Sequence, residues 1–135
     1  MAEGLLKAAL KGNDEIRVSS AGVAAMSGQG ASRETLDVLS LYDAALDGFK
    51  SRQVDEKILS DAGLIVTMTQ SHADVIKHHF PERADDVNLL TDFISPDECL
   101  EGEDVPDPIG MGSAAYEEVA EVIKLALPGI VRCME

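Results

Sequence analysis

Asp107 and Pro108 form a dipeptide in which a carboxyl group is held by a restricted backbone. Proline fixes its own φ angle and biases the preceding residue towards an extended conformation. Further acidic residues lie nearby: Asp97, Glu98, Glu101, Glu103 and Asp104. Like charges at short range disfavour ionisation, so one carboxyl of this group is expected to keep its proton near neutral pH, as a general acid must. The alternative interpretation is an acidic loop that is simply solvated.

The cysteines and histidines predict no metal site and no cofactor. Cys99 and Cys133 do not make a disulfide framework, and their spacing fits no zinc pattern. The acidic residues after Cys99 raise the pKa expected of its thiol, which disfavours a nucleophilic role. Three histidines lie on or near one predicted helix without a carboxylate or cysteine at ligand spacing: His72, His78 and His79. Three isolated methionines are interpreted as packing residues: Met26, Met68 and Met111.

Composition restricts the class of protein further. The 135 residues suit one domain, 1–135, with a single core. The formal net charge of −14 argues against a nucleic acid or an anionic membrane as partner. No apolar run approaches the roughly 18 residues that a membrane span needs, and nothing resembles a signal peptide. A cytoplasmic protein is therefore expected.

Hydrophobic patterning predicts strands that alternate with helices, which is typical of a parallel α/β sheet. Ser32 and Thr69 are predicted helix N-caps, Gly63 a left-handed C-cap, and Leu36 and Leu39 inward-facing residues. The predicted helices are Ala2 to Lys11, Ser32 to Tyr42, Val54 to Ala62, Thr69 to Phe80, and one that Ser113 begins. The predicted strands are Ile16 to Ala21, Leu64 to Met68 and Val87 to Leu90, with a Gly-rich loop from Gly22 to Gly30 and an acidic loop over 91–112.

Six segments in this order and spacing resemble the bacterial low-molecular-weight protein tyrosine phosphatases, a family that also includes protein-arginine phosphatases. They are VSSAGVAA (Val18 to Ala25), GASRETLDVL (Gly30 to Leu39), SRQVDEKIL (Ser51 to Leu59), LIVTMTQSH (Leu64 to His72), FPE (Phe80 to Glu82), and DPIG followed by Tyr116. The resemblance covers essentially the whole chain. It implies a flavodoxin-like three-layer fold, a parallel sheet with helices on both faces.

The resemblance also implies a reaction and roles for three residues. In the family a cysteine in a Cys-x5-Arg loop attacks phosphorus, and the aspartate of a DP motif, which matches Asp107, protonates the leaving group. Ser20 matches a serine that supports the phosphate loop. Ile109 stands where an aromatic residue usually walls the substrate pocket, and Phe49 where many members have a histidine. The implied partner is a phosphorylated protein or peptide, and the implied enzyme class is a phosphomonoester hydrolase.

One part of the family pattern is missing from this sequence, which contains no Cys-x5-Arg motif. Met1 to Leu6 aligns with the helix that follows the nucleophile loop, so the first, central strand and its loop are expected to be absent and the chain truncated and inactive. Unpaired neighbours of that strand would lower stability or cause self-association through the open edge.

Other functions remain as alternatives. The chain is alternatively a non-catalytic pseudo-phosphatase or interaction domain. Arsenate reduction is disfavoured, because the thioredoxin-coupled arsenate reductases need further cysteines near Thr67 to Ser71 and this region has none. Ile109 and the acidic surface favour a substrate with a cationic or aliphatic leaving group, such as phosphoarginine, over phosphotyrosine.

Overall fold

The computed structural model describes residues 1–98, 100 and 102–134, in which three helices precede two short parallel strands that a fourth helix connects, and a long helix follows. Three short 3₁₀ helices complete the described structure: Pro81–Asp86, Leu90–Phe93 and Pro96–Glu98. The main elements are α1 (Ala2–Ala9), α2 (Arg33–Leu41), α3 (Glu56–Ser60), β1 (Ile65–Thr67), α4 (Gln70–His79), β2 (Val87–Leu89) and α5 (Ser113–Met134).

Strands β1 and β2 pair in parallel, with Ile65 opposite Val87 and Thr67 opposite Leu89. Helix α4 connects them, as a parallel pair requires a crossover. Thr69 ends the strand segment and begins the helix, because its hydroxyl oxygen accepts a hydrogen bond from the backbone N–H of His72 at 3.1 Å.

The two faces of β1 pack against different sets of helices. Ile65 lies in a small cluster with Leu59 of α3 and Ile76 of α4. Val66, whose side chain points to the opposite face, packs against a larger cluster from α1, α2 and α5 that includes Leu39 and Ile123. The predicted α/β fold, a parallel sheet with helices on both faces, is confirmed.

Helix α5 supplies the longest buried stripe of the larger cluster: Tyr116, Val119, Ala120, Ile123, Ala126 and Ile130. Its last turns lie against the 3₁₀ helix Leu90–Phe93. The approach is close enough that a Cβ atom on Gly129 would sit 2.2 Å from the carbonyl oxygen of Phe93. Glycine is therefore required at this contact.

The predicted strand Ile16 to Ala21 is wrong as an assigned element. Pairing begins only at the next residue, where Gly22 forms an isolated parallel bridge with Gln53. The Gly-rich loop is nevertheless held in place, since the side-chain amide of Gln53 donates to the carbonyl of Val23 and accepts from the N–H of Ala25, both at 2.8 Å.

Three smaller predictions also need correction. Leu36 is 45% exposed, because the inward positions of α2 are Thr35, Val38 and Leu39. The helix predicted over Val54 to Ala62 is shortened to Glu56–Ser60, as Asp55 caps it through a bond from the Ile58 N–H. Gly63 has no positive φ, so the predicted left-handed C-cap is absent.

Among the described residues, no helix combines the length and the apolar character that are needed to cross a membrane.

Candidate active site

The loop that carries Asp107 is fixed at the carboxyl end of β1. The backbone N–H of Val105 donates to the carbonyl of Met68, the residue after β1, at 2.8 Å. The hydroxyl of Thr91, which is 1% exposed, donates to the carbonyl of Glu103 at 2.6 Å. Ligands of open parallel sheets bind at this edge, and these contacts bring the loop to it.

A third contact ties the same loop to helix α4. The carboxylate of Asp104 accepts a hydrogen bond from the backbone N–H of Gln70 at 2.7 Å. Gln70 is the first residue of α4, where N–H groups lack helical partners and a carboxylate is favoured by the helix dipole. Among the acidic residues near Asp107, Asp104 therefore has a structural role, because it holds the loop to α4.

Asp107 itself forms a tight local turn. Its Oδ1 accepts a hydrogen bond from the backbone N–H of Ile109 at 3.1 Å, and the N–H of Met111 donates to the carbonyl of Pro108 at 2.9 Å. Gly110 has a φ of 76°, which a residue with a side chain rarely adopts. The carboxyl group of Asp107 is therefore held in a defined position while it stays exposed to solvent.

Asp107 and Ile109 line one shallow cavity of about 250 Å³. The amino ends of α2 and α5 form its other walls. Ile109 is 72% exposed, so its side chain stands at the rim rather than in the core. The lining residues are Met1, Ser32, Thr35, Asp107, Pro108, Ile109, Tyr116 and Val119.

Sequence reasoning placed Ser32 and Tyr116 in helices but did not assign them, or Thr35, to the site. The Ser32 hydroxyl caps α2 by accepting from the Thr35 N–H at 3.2 Å, and it donates to the Thr35 hydroxyl at 2.9 Å. The predicted N-cap is thus confirmed. Ser32 also borders the cavity together with Asp107, which no local sequence signal indicated.

Ser20 lies outside the lining of this cavity and contacts the first turn of α1. Its hydroxyl donates to Oε1 of Glu3 at 2.7 Å, while Lys7 donates to Oε2 of the same carboxylate at 2.9 Å. The backbone carbonyl of Ser20 accepts a bond from Nε of Arg52 at 3.0 Å. Ser20 therefore joins α1 to the segment around Arg52, and its role in supporting a phosphate loop stays a prediction.

The surroundings of Glu3 change its acidity. Burial by itself raises the pKa of Glu3, but the hydrogen bonds from Lys7 and Ser20 and the positive charge of Lys7 outweigh burial. The pKa of Glu3 consequently lies below its ordinary value. Its charged form is the one that holds α1 to Ser20.

This lowered pKa makes stability depend on pH in a defined direction. We expect Glu3 to stabilise the folded chain above about pH 4.3, the usual pKa of an unfolded glutamate, and to lose this contribution as the pH falls through its lower folded pKa. Urea unfolding of the wild-type chain and of Glu3→Gln, at several pH values from acidic to neutral, measures the difference in their free energies of unfolding. If this difference grew as the pH fell, the assigned role of Glu3 would be contradicted.

The thiol that the structure describes lies far from Asp107. Cys133 is exposed in the last turn of α5, whereas Asp107 precedes the first turn of this helix. At 1.5 Å per residue the helix separates Ser113 from Cys133 by about 30 Å. Cys99 and Glu101 lie outside the described residues.

Within residues 1–98, 100 and 102–134, no group of three or more His, Cys, Asp or Glu side chains is arranged to hold a metal ion.

The sequence of the chain matches a protein-family model. Residues 1–134 match the model of the low molecular weight phosphotyrosine protein phosphatases. The chain belongs to this family, and its class of function is that of a low-molecular-weight protein tyrosine or arginine phosphatase.

Particular relatives include curated proteins and solved structures. The low molecular weight protein-tyrosine-phosphatase Wzb of Salmonella typhi is 29% identical over 123 residues, which cover 91% of this chain and 76% of that protein. A low molecular weight protein tyrosine phosphatase from T. tengcongensis is 31% identical with a TM-score of 0.86, covering 97% of this chain and 87% of that one. The YwlE arginine phosphatase from Geobacillus stearothermophilus is 28% identical with a TM-score of 0.85, covering 98% and 82% respectively.

Proposed function

We propose that Asp107 is the general acid of a phosphomonoesterase that acts through a cysteinyl-phosphate when a Cys-x5-Arg segment is present, and that the 135-residue chain alone does not hydrolyse phosphomonoesters. The observation that carries the proposal is the placement of Asp107. Three backbone and side-chain anchors hold its loop at the carboxyl end of β1, and its carboxyl borders a cavity.

In the first step of the proposed reaction, a cysteine thiolate attacks phosphorus. The S–P bond forms as the bond between phosphorus and the leaving group breaks. The leaving group takes the proton of Asp107, so a phenol departs neutral rather than as a phenolate, and an arginine departs as its guanidinium.

In the second step, water attacks the phosphorus of the cysteinyl-phosphate. The carboxylate of Asp107 takes a proton from this water, the S–P bond breaks, and inorganic phosphate and the thiolate are released. Asp107 thereby returns to its protonated state and the cycle is closed.

The sequence supports the second half of the proposal, because it contains no Cys-x5-Arg motif. An acid alone offers no covalent route, since it lacks both the nucleophile and the donors that hold the phosphoryl oxygens. We therefore expect the 135-residue chain to hydrolyse p-nitrophenyl phosphate no faster than buffer. A fusion that places a strand and Cys-x5-Arg loop from a relative ahead of Met1 is expected to gain turnover that vanadate inhibits.

Two controls make this comparison decisive. The same fusion with its nucleophilic cysteine replaced by serine has the complete fold and is expected to lose the gained turnover. Cys133→Ser in the 135-residue chain removes the exposed thiol. Vanadate-sensitive turnover by the 135-residue chain would overturn the proposal.

The site also favours one class of leaving group. Ile109 provides an exposed aliphatic rim where aromatic stacking would favour a phenol, and the net charge of −14 favours a cationic or aliphatic leaving group. We propose phosphoarginine as the preferred substrate, as one relative is itself an arginine phosphatase. The test compares the rates at which the active fusion hydrolyses phosphoarginine and phosphotyrosine peptides. A strong preference for the phosphotyrosine peptide would contradict this proposal.

A second candidate function is a non-catalytic interaction domain, which the missing motif favours. The fusion distinguishes the two. A fusion that folds but stays inactive favours the interaction domain.

A further inference from the structure

The segment 103–105 leads directly into the Asp107 turn, so the contacts of this segment determine where the carboxyl group lies. Among the described residues, three hydrogen bonds join the segment to other elements of the fold. They pair Glu103 with Thr91, Asp104 with Gln70, and Val105 with Met68. Pro106 and Pro108 restrict the backbone on either side of Asp107, so a shift of the segment is passed on to the carboxyl group.

The three contacts differ in how far a side chain controls them. The bond from Val105 to Met68 joins two backbone groups, so it does not depend on the identity of either side chain. Asp104 and Gln70 are both exposed, and water offers each of them an alternative partner. Thr91, by contrast, is only 1% exposed, so its hydroxyl bond to the loop is made from the interior of the domain.

Thr91 is itself fixed by the 3₁₀ helix in which it lies. Its carbonyl accepts a hydrogen bond from the backbone N–H of Ile94 at 3.1 Å, and the neighbouring Leu90 and Ile94 side chains are buried in the larger cluster. The carbonyl of Phe93 lies against Gly129 of α5. The Thr91 hydroxyl is therefore a rigid donor that reaches from the packed interior to the loop.

We propose that Thr91 is a positioning residue for Asp107, because its hydroxyl sets the distance between the interior of the domain and the loop that carries the proton donor. This inference rests on the proposed role of Asp107 as the general acid. The Thr91 oxygen lies 2.6 Å from the Glu103 carbonyl oxygen, a separation that suits an O–H···O hydrogen bond. General acid catalysis needs such precision, since a misplacement of about 1 Å lowers a rate by up to about 10²-fold.

Thr91→Val keeps the shape of the side chain but replaces its hydroxyl with a methyl group. A carbon atom approaches a carbonyl oxygen only to about 3.3–3.6 Å, so the Glu103 carbonyl must move outward by up to about 1 Å. In the active fusion we expect kcat for phenyl phosphate to fall about 10- to 100-fold, with KM changed less than about twofold. Thr91→Ser keeps the hydroxyl and is expected to restore most of the lost kcat.

Thr67→Val is the matched control for this substitution. Thr67 is 6% exposed, and its hydroxyl donates to the carbonyl of Asn88 at 3.2 Å, between β1 and β2. The same change therefore removes an interior hydroxyl bond at a place where a methyl group nearly fits, and it leaves the contact between Thr91 and Glu103 in place. We expect kcat to change less than about twofold, which separates positioning of Asp107 from a general loss of stability.

A double substitution shows whether Thr91 acts through Asp107. Adding Thr91→Val to Asp107→Asn is expected to change kcat less than about twofold, because the proton whose transfer depends on the loop position is already absent. If Thr91→Val lowered kcat by the same factor with and without Asp107, Thr91 would act by another route and the inference would be wrong.

The loop position is also measurable without turnover, in the 135-residue chain itself. Amide hydrogen exchange reports on the bond from Val105 N–H to the Met68 carbonyl, two residues along the chain from the Glu103 contact. Relative to the amides of α5, we expect Thr91→Val to speed exchange at Val105 about tenfold or more. Thr91→Ser and Thr67→Val are expected to keep the wild-type exchange rate at this amide.

The two measurements distinguish this inference from the proposed function. A fusion whose kcat is unchanged by Asp107→Asn overturns the role of Asp107 as general acid. A fusion that is slowed by Asp107→Asn but not by Thr91→Val overturns the inference alone, and so does wild-type exchange at Val105 in Thr91→Val. A lower kcat in Thr91→Val, its recovery in Thr91→Ser and faster exchange at Val105 support the inference.

Discussion

Asp107→Asn in the active fusion is expected to slow hydrolysis of a substrate with a poor leaving group by roughly 10²- to 10⁴-fold, the usual contribution of general acid catalysis. Asparagine keeps the Oδ1 atom that accepts a hydrogen bond from Ile109 N–H, so the turn is preserved while the transferable proton is lost. The measurement is kcat for phenyl phosphate and for p-nitrophenyl phosphate. The loss should be smaller for p-nitrophenyl phosphate, whose leaving group departs more readily as an anion.

The leaving-group comparison distinguishes acid catalysis from simple disturbance of the loop. Asp107→Ala removes both the transferable proton and the hydrogen bond to Ile109 N–H, so it shows the effect of losing the turn in addition to the proton. Asp104→Asn changes a neighbouring carboxylate that contacts Gln70 and is expected to retain most of the activity. Equal losses for both leaving groups, or an unchanged rate in Asp107→Asn, would remove Asp107 from this role.

Gly129→Ala is expected to lower the free energy of unfolding by about 1–3 kcal/mol, the usual cost of overpacking. Alanine normally favours a helix over glycine by about 1 kcal/mol. Here the added Cβ would lie 2.2 Å from the Phe93 carbonyl oxygen, so α5 and the Leu90–Phe93 turn must separate. Steric conflict with a backbone atom exceeds the propensity gain, and urea unfolding measures the result.

Gly30→Ala provides the matched control. No atom lies within 4 Å of a Cβ built on Gly30, and its φ is not in the left-handed region. We expect its stability to be unchanged or slightly raised, because alanine restricts the unfolded chain. A Gly129→Ala protein as stable as the Gly30→Ala protein would show that the helix and the turn are not in close contact.

Local signals in the sequence predicted the elements whose partners are close in the chain. Ser32 and Thr69 each cap the helix that they begin, because a cap depends on a backbone N–H three positions away. The strand Ile65–Thr67 was predicted from its continuous apolar run, although its partner Val87–Leu89 lies much further along the chain. The restricted backbone at Asp107 was predicted from Pro108, and its match to the family's general acid came from the resemblance. Its reaction role stays a prediction.

Contacts between distant residues explain what the sequence could not predict. Arg83 donates from its guanidinium to the carbonyl oxygens of Leu59 and Ala62, holding the end of α3 without any local motif. The Val105 contact with Met68, which positions the loop, also joins residues far apart in the chain. The failed strand at Ile16 to Ala21 shows the same limit, since alternation predicts a strand's faces but not whether a partner strand is present.

The division of the packed interior by β1 has a consequence for partial unfolding. The smaller cluster has three buried residues, Leu59, Ile65 and Ile76, and the larger has thirteen. Sub-global opening begins where least apolar surface is buried, so α3 and the outer side of α4 should fluctuate open before α2 and α5 do. Such opening would leave the two walls of the Asp107 cavity that α2 and α5 form intact, and it would act on the Asp107 loop chiefly through the contact of Asp104 with the first residue of α4.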